Sequence, residues 1–370
     1  MTFPLYGQSY YSYTNEQLKI ESNYLKDSID CNLQLPETFK YSSKTTKYPV
    51  IIIFDSQHEK TYPHIVNSID MLTNESQMPE SIIIGIPFNR YNRTYLTSNN
   101  NKKNDTLAGI KRTELFLFKE LIPLLKEKYK ANDFLIIIGH SRTAFLANYL
   151  MYEQSDNIDV TISLSGFYSD KPLSVQKMED FFLDSSNFQN KLKYYFTAGT
   201  TSEEKTYLEE FNTMSTFLEN STTPKNLVWK FQQTENSNHM TNYWLSVSPI
   251  LINVFANYNE ILNSWFETKL RNDSLKKPIA VFKNDLIGTS EKLNFKINPS
   301  LTQIFSIASS YYYEMKDYKT AIDFILLGKE YYPEYYDFDE FLAELYKELG
   351  NKNKERYWRK SYENGKENKR

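Results

Sequence analysis

Apolar and polar positions alternate along the first two thirds of the chain in blocks of two kinds. Short continuous apolar runs that end in Gly, Pro or a polar residue are typical of strands buried on both faces of a parallel sheet. These runs occupy residues 48–54, 81–87, 135–138, 159–165, 192–197 and 227–232. The stretches at 61–78, 114–129, 144–150 and 203–220 predict helices between them. This alternation predicts an α/β protein whose mostly parallel sheet is covered by helices on both faces.

Three features modify that simple pattern. Residues 20–35 alternate in polarity and predict antiparallel strands ahead of the first parallel strand. Pro123 lies inside the helical stretch 114–129 and predicts a kink or a break there. The polar loop 89–105 is long for a compact domain, and such loops often border a site. Because active sites of parallel sheets lie at the carboxyl ends of the strands, we expect the site at that edge.

A serine stands at one of these strand-to-helix junctions. The apolar strand 135–138 is followed by GHSRT (139–143) and then by the helix-forming run 144–150. A serine on such a turn is the nucleophile elbow of α/β-hydrolases, where backbone N–H groups face developing negative charge. The pattern is G-x-S-x-T rather than G-x-S-x-G, so the alternative is a buried strand–helix unit with an incidental serine. The strand before and the helix after favour Ser141 as a nucleophile.

A serine nucleophile needs a base, and the base needs an acid that orients it. His239 is the only histidine after Ser141, and it follows the last predicted strand, where this fold class places the base. The loop after Gly199 offers two acids, Glu203 and Glu204. One would hold His239 and the other would suit a solvated helix N-terminus; Glu203 is the favoured acid. His140, next to the serine, is expected to point elsewhere.

The oxyanion hole of an acyl-transfer enzyme needs two backbone N–H groups aimed at one point. The first is expected from Arg142, which directly follows the nucleophile. The second is expected from the loop after strand 48–54, at Gln57. Position alone assigns both, since a backbone donor does not depend on its side chain.

Seven segments, taken in order, resemble one family of esterases. That family includes the enterochelin esterases, the feruloyl esterases, the S-formylglutathione hydrolases and the mycolyltransferases of the antigen 85 type. The segments cover most of residues 20–260 and are YPVIIIFDSQH (48–58), IIIGIPFNRYNR (82–93), FKELIPLLKEKY (118–129), LIIIGHSRTAF (135–145), ISLSGFY (162–168), AGTTSEE (198–204) and NHMTNYW (238–244). The resemblance implies an α/β-hydrolase fold and a serine esterase that works through an acyl-enzyme without metal or organic cofactor. Its carried-over residues are Ser141, His239 and Glu203 as the triad and Gln57 and Arg142 as oxyanion donors.

The chain departs from the family pattern at three positions. Ser56 and Thr143 stand where the family usually has glycine, and Tyr95 stands where it usually has aspartate. A shift of about 1 Å in the oxyanion loop is enough to cost about 100-fold in rate. These departures motivate one alternative, an impaired hydrolase fold that acts as an interaction module. A second alternative is an acyltransferase whose acceptor is not water.

Aromatic residues near the predicted site suggest an apolar or sugar-bearing ester as the small-molecule substrate. The candidates for the substrate pocket are Phe88, Phe167, Tyr168 and Trp244. Aromatic residues make up 16% of the chain, however, so proximity in sequence identifies them only weakly.

Charge and composition argue against several other classes of function. The formal net charge of −3 implies no general attraction to nucleic acid or to an anionic membrane. No apolar run approaches the ~20 residues that a membrane span needs. With four histidines and a single cysteine, Cys31, no spacing suggests a metal site. The start of the chain carries no signal-peptide pattern, so we expect a cytoplasmic protein unless such a segment was removed before residue 1.

Beyond about residue 285 the pattern changes to aromatic-rich helices. Large and small residues recur there at the spacing of a tetratricopeptide repeat, whose period is ~34 residues; they are Phe305, Ser309, Tyr312, Ala321, Ile325, Gly328 and Pro333. The prediction is therefore a hydrolase domain at 1–285 and a small helical segment at 286–370. That segment is either a peptide-binding module or a short appendage docked on the hydrolase or used for contacts between copies, and the appendage is favoured.

Overall fold

The computed structural model describes residues 13–272 and 274–367. Its strands are β1 (Glu16–Ser22), β2 (Asp27–Gln34), β3 (Tyr48–Phe54), β4 (Ile82–Ile86), β5 (Ala131–His140), β6 (Val160–Leu164), β7 (Leu192–Gly199) and β8 (Leu227–Thr234). They form one sheet in the order β1-β2-β4-β3-β5-β6-β7-β8. Strands β3 to β8 run parallel, and β1 and β2 pair antiparallel at one edge. The predicted sheet and its antiparallel start are confirmed.

Helices cover both faces of this sheet. Those of the first part of the chain are α1 (Thr61–Asn74), α2 (Arg93–Leu96), α3 (Gly109–Phe116), α4 (Ile122–Lys128), α5 (Arg142–Glu153), α6 (Val175–Leu183), α7 (Lys205–Asn220), α8 (His239–Val254) and α9 (Ala256–Ser264). A π-helical turn, Leu117–Leu121, joins α3 to α4. This turn is the break that Pro123 predicted. The proline itself lies in the first turn of α4, where a missing N–H costs little.

The two faces of the sheet bury separate apolar clusters because side chains alternate along each strand. On β3, Ile51 and Ile53 belong to one cluster, and Val50, Ile52 and Phe54 belong to the other. Helices α1, α8 and α9 pack in the first cluster, and α3, α5, α6 and α7 pack in the second. The apolar runs of the strands are continuous because both faces of the sheet are buried.

Five further helices follow α9. They are α10 (Pro278–Leu293), α11 (Leu301–Ser309), α12 (Tyr318–Tyr331), α13 (Asp337–Glu348) and α14 (Lys352–Glu367). Neighbouring helices in this run from α11 onward pack on one another. Where α12 meets α13, a Cβ added at Gly328 would lie 2.5 Å from Phe338 Cζ, so the small residue permits the close approach. The helical character of this region is confirmed, whereas its tetratricopeptide nature and the division near residue 285 stay predictions.

The C-terminal helices join the first apolar cluster rather than forming a core of their own. Phe324 and Phe338 belong to the same cluster as Ile51 of the central strand. Polar contacts reinforce the junction, since Ser43 N–H donates to Tyr331 O at 2.8 Å. The helices therefore extend one covering layer of the sheet.

Candidate active site

A sharp turn that carries Ser141, the candidate nucleophile, joins β5 to α5 and forms the elbow. Ser141 has φ 56° and ψ −122°, a backbone conformation that a residue with a side chain rarely adopts. Its N–H donates to Leu164 O at 2.9 Å, which anchors the turn on the neighbouring strand. A Cβ added at Gly139 would lie 2.1 Å from Thr143 O, so only glycine lets the helix approach the strand this closely. The turn thus presents Ser141 at the carboxyl edge of the sheet.

Thr143, which replaces the usual glycine, is built into the elbow. Its side chain is fully buried, and its Oγ1 accepts from His140 N–H at 3.1 Å. The hydroxyl lies 3.0 Å from Asp55 Oδ2, to which it can donate. The threonine therefore links the elbow to the loop that follows β3.

His239, the candidate base, is the first residue of α8. Asn238 caps this helix, its Oδ1 accepting from Met240 N–H at 3.1 Å and Thr241 N–H at 2.9 Å. His239 Nδ1 shares a short hydrogen bond with Glu204 Oε1. Glu203, the acid favoured from sequence, instead has an exposed side chain. The structure thus brings Glu204, and not Glu203, to His239.

The reason for this difference is the tight 3-10 turn Ser202–Glu204, which sends successive side chains in different directions. Glu204 points inward, where its second oxygen accepts from Ser165 Oγ at 2.7 Å and Gly199 N–H at 2.9 Å. Burial favours the neutral carboxyl, but the hydrogen bonds from His239, Gly199 and Ser165 outweigh it. They hold the pKa of Glu204 below its usual value. The carboxylate is therefore charged and fixed beside the imidazole.

His140 packs against His239, and the expectation that it points elsewhere is wrong. Its Nε2 lies 2.9 Å from His239 O, to which it donates in the corresponding tautomer. The two imidazole rings lie 4.4 Å apart, centre to centre. Burial lowers the pKa of His140 to about 4, and the neighbouring His239 adds to that effect. The ring is therefore neutral at neutral pH and packs against His239 without a competing charge.

Tyr207 is a second residue that the sequence did not single out. It lies in the first turn of α7, three residues after Glu204. Its phenolic oxygen is 3.2 Å from Ser141 Oγ, and its ring stacks on His239 with centroids 4.5 Å apart. The sequence could have pointed to Tyr207 only through its place in the helix that follows Glu204. Because the chain contains 30 tyrosines, such a position alone does not distinguish one of them.

The two predicted oxyanion donors lie in the turn after β3 and at the start of α5. Arg142 is the first residue of α5, where a backbone N–H has no partner within the helix. In the described part of the chain, neither Arg142 N–H nor Gln57 N–H donates to a protein acceptor. The Gln57 side chain stabilises its loop, donating to Asp55 Oδ1 at 2.9 Å and accepting from Phe88 N–H at 2.8 Å.

Asp55 organises the loop that carries Gln57. Asp55 has φ 59°, so the backbone strain of this loop lies at Asp55. Arg93 donates to both carboxylate oxygens of Asp55, each at 2.7 Å. Burial acts against ionisation of Asp55, yet these hydrogen bonds and the Arg93 charge hold the pKa of its carboxyl below the ordinary value. A bidentate ion pair therefore fixes the turn from which Gln57 projects.

The other two departures from the family pattern are accommodated by their surroundings. Ser56 is buried, and its Oγ accepts from Asn32 Nδ2 at 3.0 Å. A Cβ added at Gly85 would lie 2.6 Å from Ser56 Cβ, so glycine on β4 makes room for this serine. Tyr95 is partly buried, with its hydroxyl 3.4 Å from Asp105 Oδ2.

The four aromatic pocket candidates divide into two kinds. Phe88 and Tyr168 are each only 2% exposed and pack in the second apolar cluster, which leaves them little surface for a substrate. Phe167 is partly buried and packs against Tyr207 with ring centroids 6.2 Å apart. Trp244 is 45% exposed and stacks on His64. Of these four candidates, Phe167 and Trp244 therefore keep exposed surface, and Phe167 is the one that contacts Tyr207.

These residues together form the components of nucleophilic acyl transfer. A strained serine, an imidazole held by a buried carboxylate, and two backbone N–H groups without protein partners lie at one edge of the sheet. Such a set can transfer an acyl group to the serine and then to a second nucleophile.

Comparison with known families agrees with this arrangement. The family described as "Putative esterase" matches residues 22–246, well over half of the chain. The match includes the elbow, the Glu204 turn and His239. No curated protein matches the chain.

Solved structures share the fold at low sequence identity. An uncharacterised protein from Capnocytophaga ochracea superposes with a TM-score of 0.62 at 17% identity, covering 94% of this chain and 93% of that one. An IroE-like serine hydrolase from Shewanella oneidensis gives 0.58 at 15% identity, covering 95% and 99%. A siderophore hydrolase from Aspergillus nidulans gives 0.52 at 13% identity, covering 69% and 96%. The first two span the C-terminal helices as well as the sheet.

Across the described ranges, no helix is long and apolar enough to cross a bilayer.

Proposed function

Because this chain belongs to the Putative esterase family and is an esterase-type hydrolase, we propose that it cleaves a small-molecule carboxylic ester through a Ser141–His239–Glu204 triad. The observation that carries this proposal is the charged, buried Glu204 carboxylate bound to His239, whose ring stacks on Tyr207, the residue that contacts Ser141 Oγ. A carboxylate in that position fixes the histidine tautomer and stabilises the imidazolium that forms during attack.

The chemistry proceeds in two balanced halves. Ser141 Oγ attacks the ester carbonyl carbon while its proton passes to His239 Nε2, and the collapse of the tetrahedral intermediate expels the alcohol, which takes that proton. Water then attacks the acyl-enzyme, losing a proton to His239, and Ser141 leaves with that proton as the acid is released. His239 Nδ1 stays bound to Glu204 throughout, so the ring keeps its orientation.

The oxyanion of each tetrahedral intermediate would lie between Gln57 N–H and Arg142 N–H. The Asp55–Arg93 ion pair and the Thr143 hydroxyl fix these two donors relative to one another. Preorganised donors of this kind need no reorganisation when charge develops. The same contacts support an active enzyme over the impaired interaction module, because Thr143 and Ser56 are both hydrogen-bonded and accommodated.

The surface after His239 supports an ester with an apolar group. Three side chains of α8 directly beyond the base are partly exposed: Met240, Trp244 and Leu245. Such a surface would be shielded from water by an apolar or aromatic part of the substrate. A contact between copies through the C-terminal helices stays a prediction.

The test is ester hydrolysis beside two matched variants. We expect the wild-type protein to release p-nitrophenol from p-nitrophenyl acetate and butyrate, and a fluorophosphonate to label Ser141. Ser141→Ala and His239→Ala should each lower turnover by at least about 1,000-fold, with circular dichroism unchanged. The proposal is wrong if the folded wild-type protein is inert toward both esters and takes up no label. If the wild-type protein is active, analysis of the products with and without an alcohol acceptor separates hydrolysis from acyl transfer.

A further inference from the structure

The phenol of Tyr207 touches the nucleophile itself. Its oxygen lies 3.2 Å from Ser141 Oγ, and within the described ranges it supplies the one hydrogen bond that this oxygen makes. The side chain is only partly buried, so it faces the open edge of the sheet where an ester must approach. A polar group in this place contacts whatever atom reacts with Ser141.

The ring of Tyr207 is held parallel to the base. Its centroid is 4.5 Å from that of His239, with an interplanar angle of 27°, and His140 lies near His239 at 4.4 Å. His239 Nδ1 faces Glu204, so its Nε2 lies on the opposite side of the ring. The phenol contacts Ser141 Oγ with its oxygen and the His239 imidazole with its ring, and so borders the region between these two residues.

That region is the alcohol side of the ester rather than the carbonyl-oxygen side. The two oxyanion donors come from the β3 loop and from the start of α5. Tyr207 comes from α7, the element that directly follows the Glu204 turn. The leaving oxygen in acylation, and the attacking water in deacylation, must lie near His239, which exchanges a proton with each.

We propose that Tyr207 is a further catalytic residue of this esterase, whose phenol donates a hydrogen bond to the alcohol-side oxygen during both halves of the reaction. The inference rests on the proposed function. In the free enzyme the phenol binds Ser141 Oγ, and when an ester enters it transfers this hydrogen bond to the leaving oxygen. The phenol keeps its own proton, while the proton that the alcohol acquires comes from His239.

The experiment compares Tyr207→Phe with wild type on esters that differ only in their leaving group. The phenol should matter most for ethyl and methyl butyrate, whose alkoxides leave poorly, and least for p-nitrophenyl butyrate. We expect roughly 10- to 100-fold lower kcat on the alkyl esters, with acylation by the p-nitrophenyl ester within about 3-fold of wild type. Deacylation by water should also slow, so that a burst of p-nitrophenol precedes slow turnover. Tyr152→Phe is the matched control, because it removes a phenol from α5 that packs on Phe181.

The outcomes separate the two proposals. If wild type is active and Tyr207→Phe matches or exceeds it on every ester, the phenol only covers the site and this inference is overturned. An equal loss in the acylation rate on all leaving groups would also overturn it, because that result indicates an oxyanion donor or a damaged site. If wild type itself is inert to esters and to fluorophosphonate, the proposed function fails and this inference fails with it.

Discussion

Two adjacent glutamates of this chain differ completely in environment. Glu204 is fully buried, and one of its carboxylate oxygens is hydrogen-bonded to His239. Its second oxygen accepts hydrogen bonds from Ser165 Oγ and Gly199 N–H. Glu203 is exposed on the same short turn. The pair is a natural comparison, since the same substitution can be made one residue apart.

Glu204→Gln should lower kcat on p-nitrophenyl butyrate by about 100- to 10,000-fold. The amide carries no charge to stabilise the imidazolium and can present an N–H to Nδ1, which favours the wrong tautomer. Glu203→Gln should leave kcat within about 3-fold of wild type. Steady-state kinetics on both variants checks this, and a larger loss in Glu203→Gln would return the acid role to Glu203.

At the scale of elements, the elbow and the β3 loop act as one unit. Thr143 lies on α5 and Asp55 lies just after β3, yet the threonine hydroxyl joins them. Arg93, at the start of α2, binds the same carboxylate. Three elements that follow different strands are thus fixed around the two oxyanion donors.

Thr143→Val should test that link, since valine keeps the shape and loses the hydroxyl. His140 N–H and Asp55 would each lose a buried partner, at a cost of about 1–3 kcal/mol in the free energy of unfolding. We also expect kcat/KM to fall by about 10-fold as the donors lose alignment. Thr143→Ser, which keeps the hydroxyl, should stay near wild type. Urea denaturation and esterase kinetics measure both effects; equal behaviour of the two variants would contradict the link.

At the scale of the whole molecule, the C-terminal helices complete the covering of one sheet face. Their junction with the hydrolase part contains a buried acid, Glu80, which is 6% exposed. Its carboxylate accepts from Thr38 Oγ1 at 2.5 Å and lies 3.4 Å from Tyr332 Oη, a residue of the C-terminal helical region. Burial raises the pKa of Glu80 to about 7, and these two hydrogen bonds only partly oppose that rise.

This pKa predicts a pH dependence of stability. Between the ordinary glutamate pKa of about 4.5 and the folded value of about 7, the folded protein binds a proton that the unfolded chain has lost. The contribution of Glu80 to stability therefore falls as pH rises through that window, by on the order of 3 kcal/mol in total. Glu80→Gln, which cannot ionise, should be increasingly more stable than wild type from pH 5 to pH 8.

Urea denaturation of wild type and Glu80→Gln at several pH values measures this difference. Glu59→Gln is the control, because Glu59 is exposed. A difference between Glu80→Gln and wild type that does not change with pH would contradict a protonated Glu80 in the folded protein.

The sequence alone determined the order of strands and helices and the two-sided burial of the sheet, and it singled out Ser141 and His239 as candidate catalytic residues. Each depends on local information: apolar runs and helical periods are read along the chain, and chain order leaves one histidine after the serine. The orientation of Glu204, the contacts of His140 and Tyr207 with His239, and the burial of Phe88 and Tyr168 were decided only by the tertiary structure. These depend on which side chains of distant elements meet, as Glu204 and His239 do across 35 positions. Local periodicity carries no information on such contacts, because packing between elements fixes them.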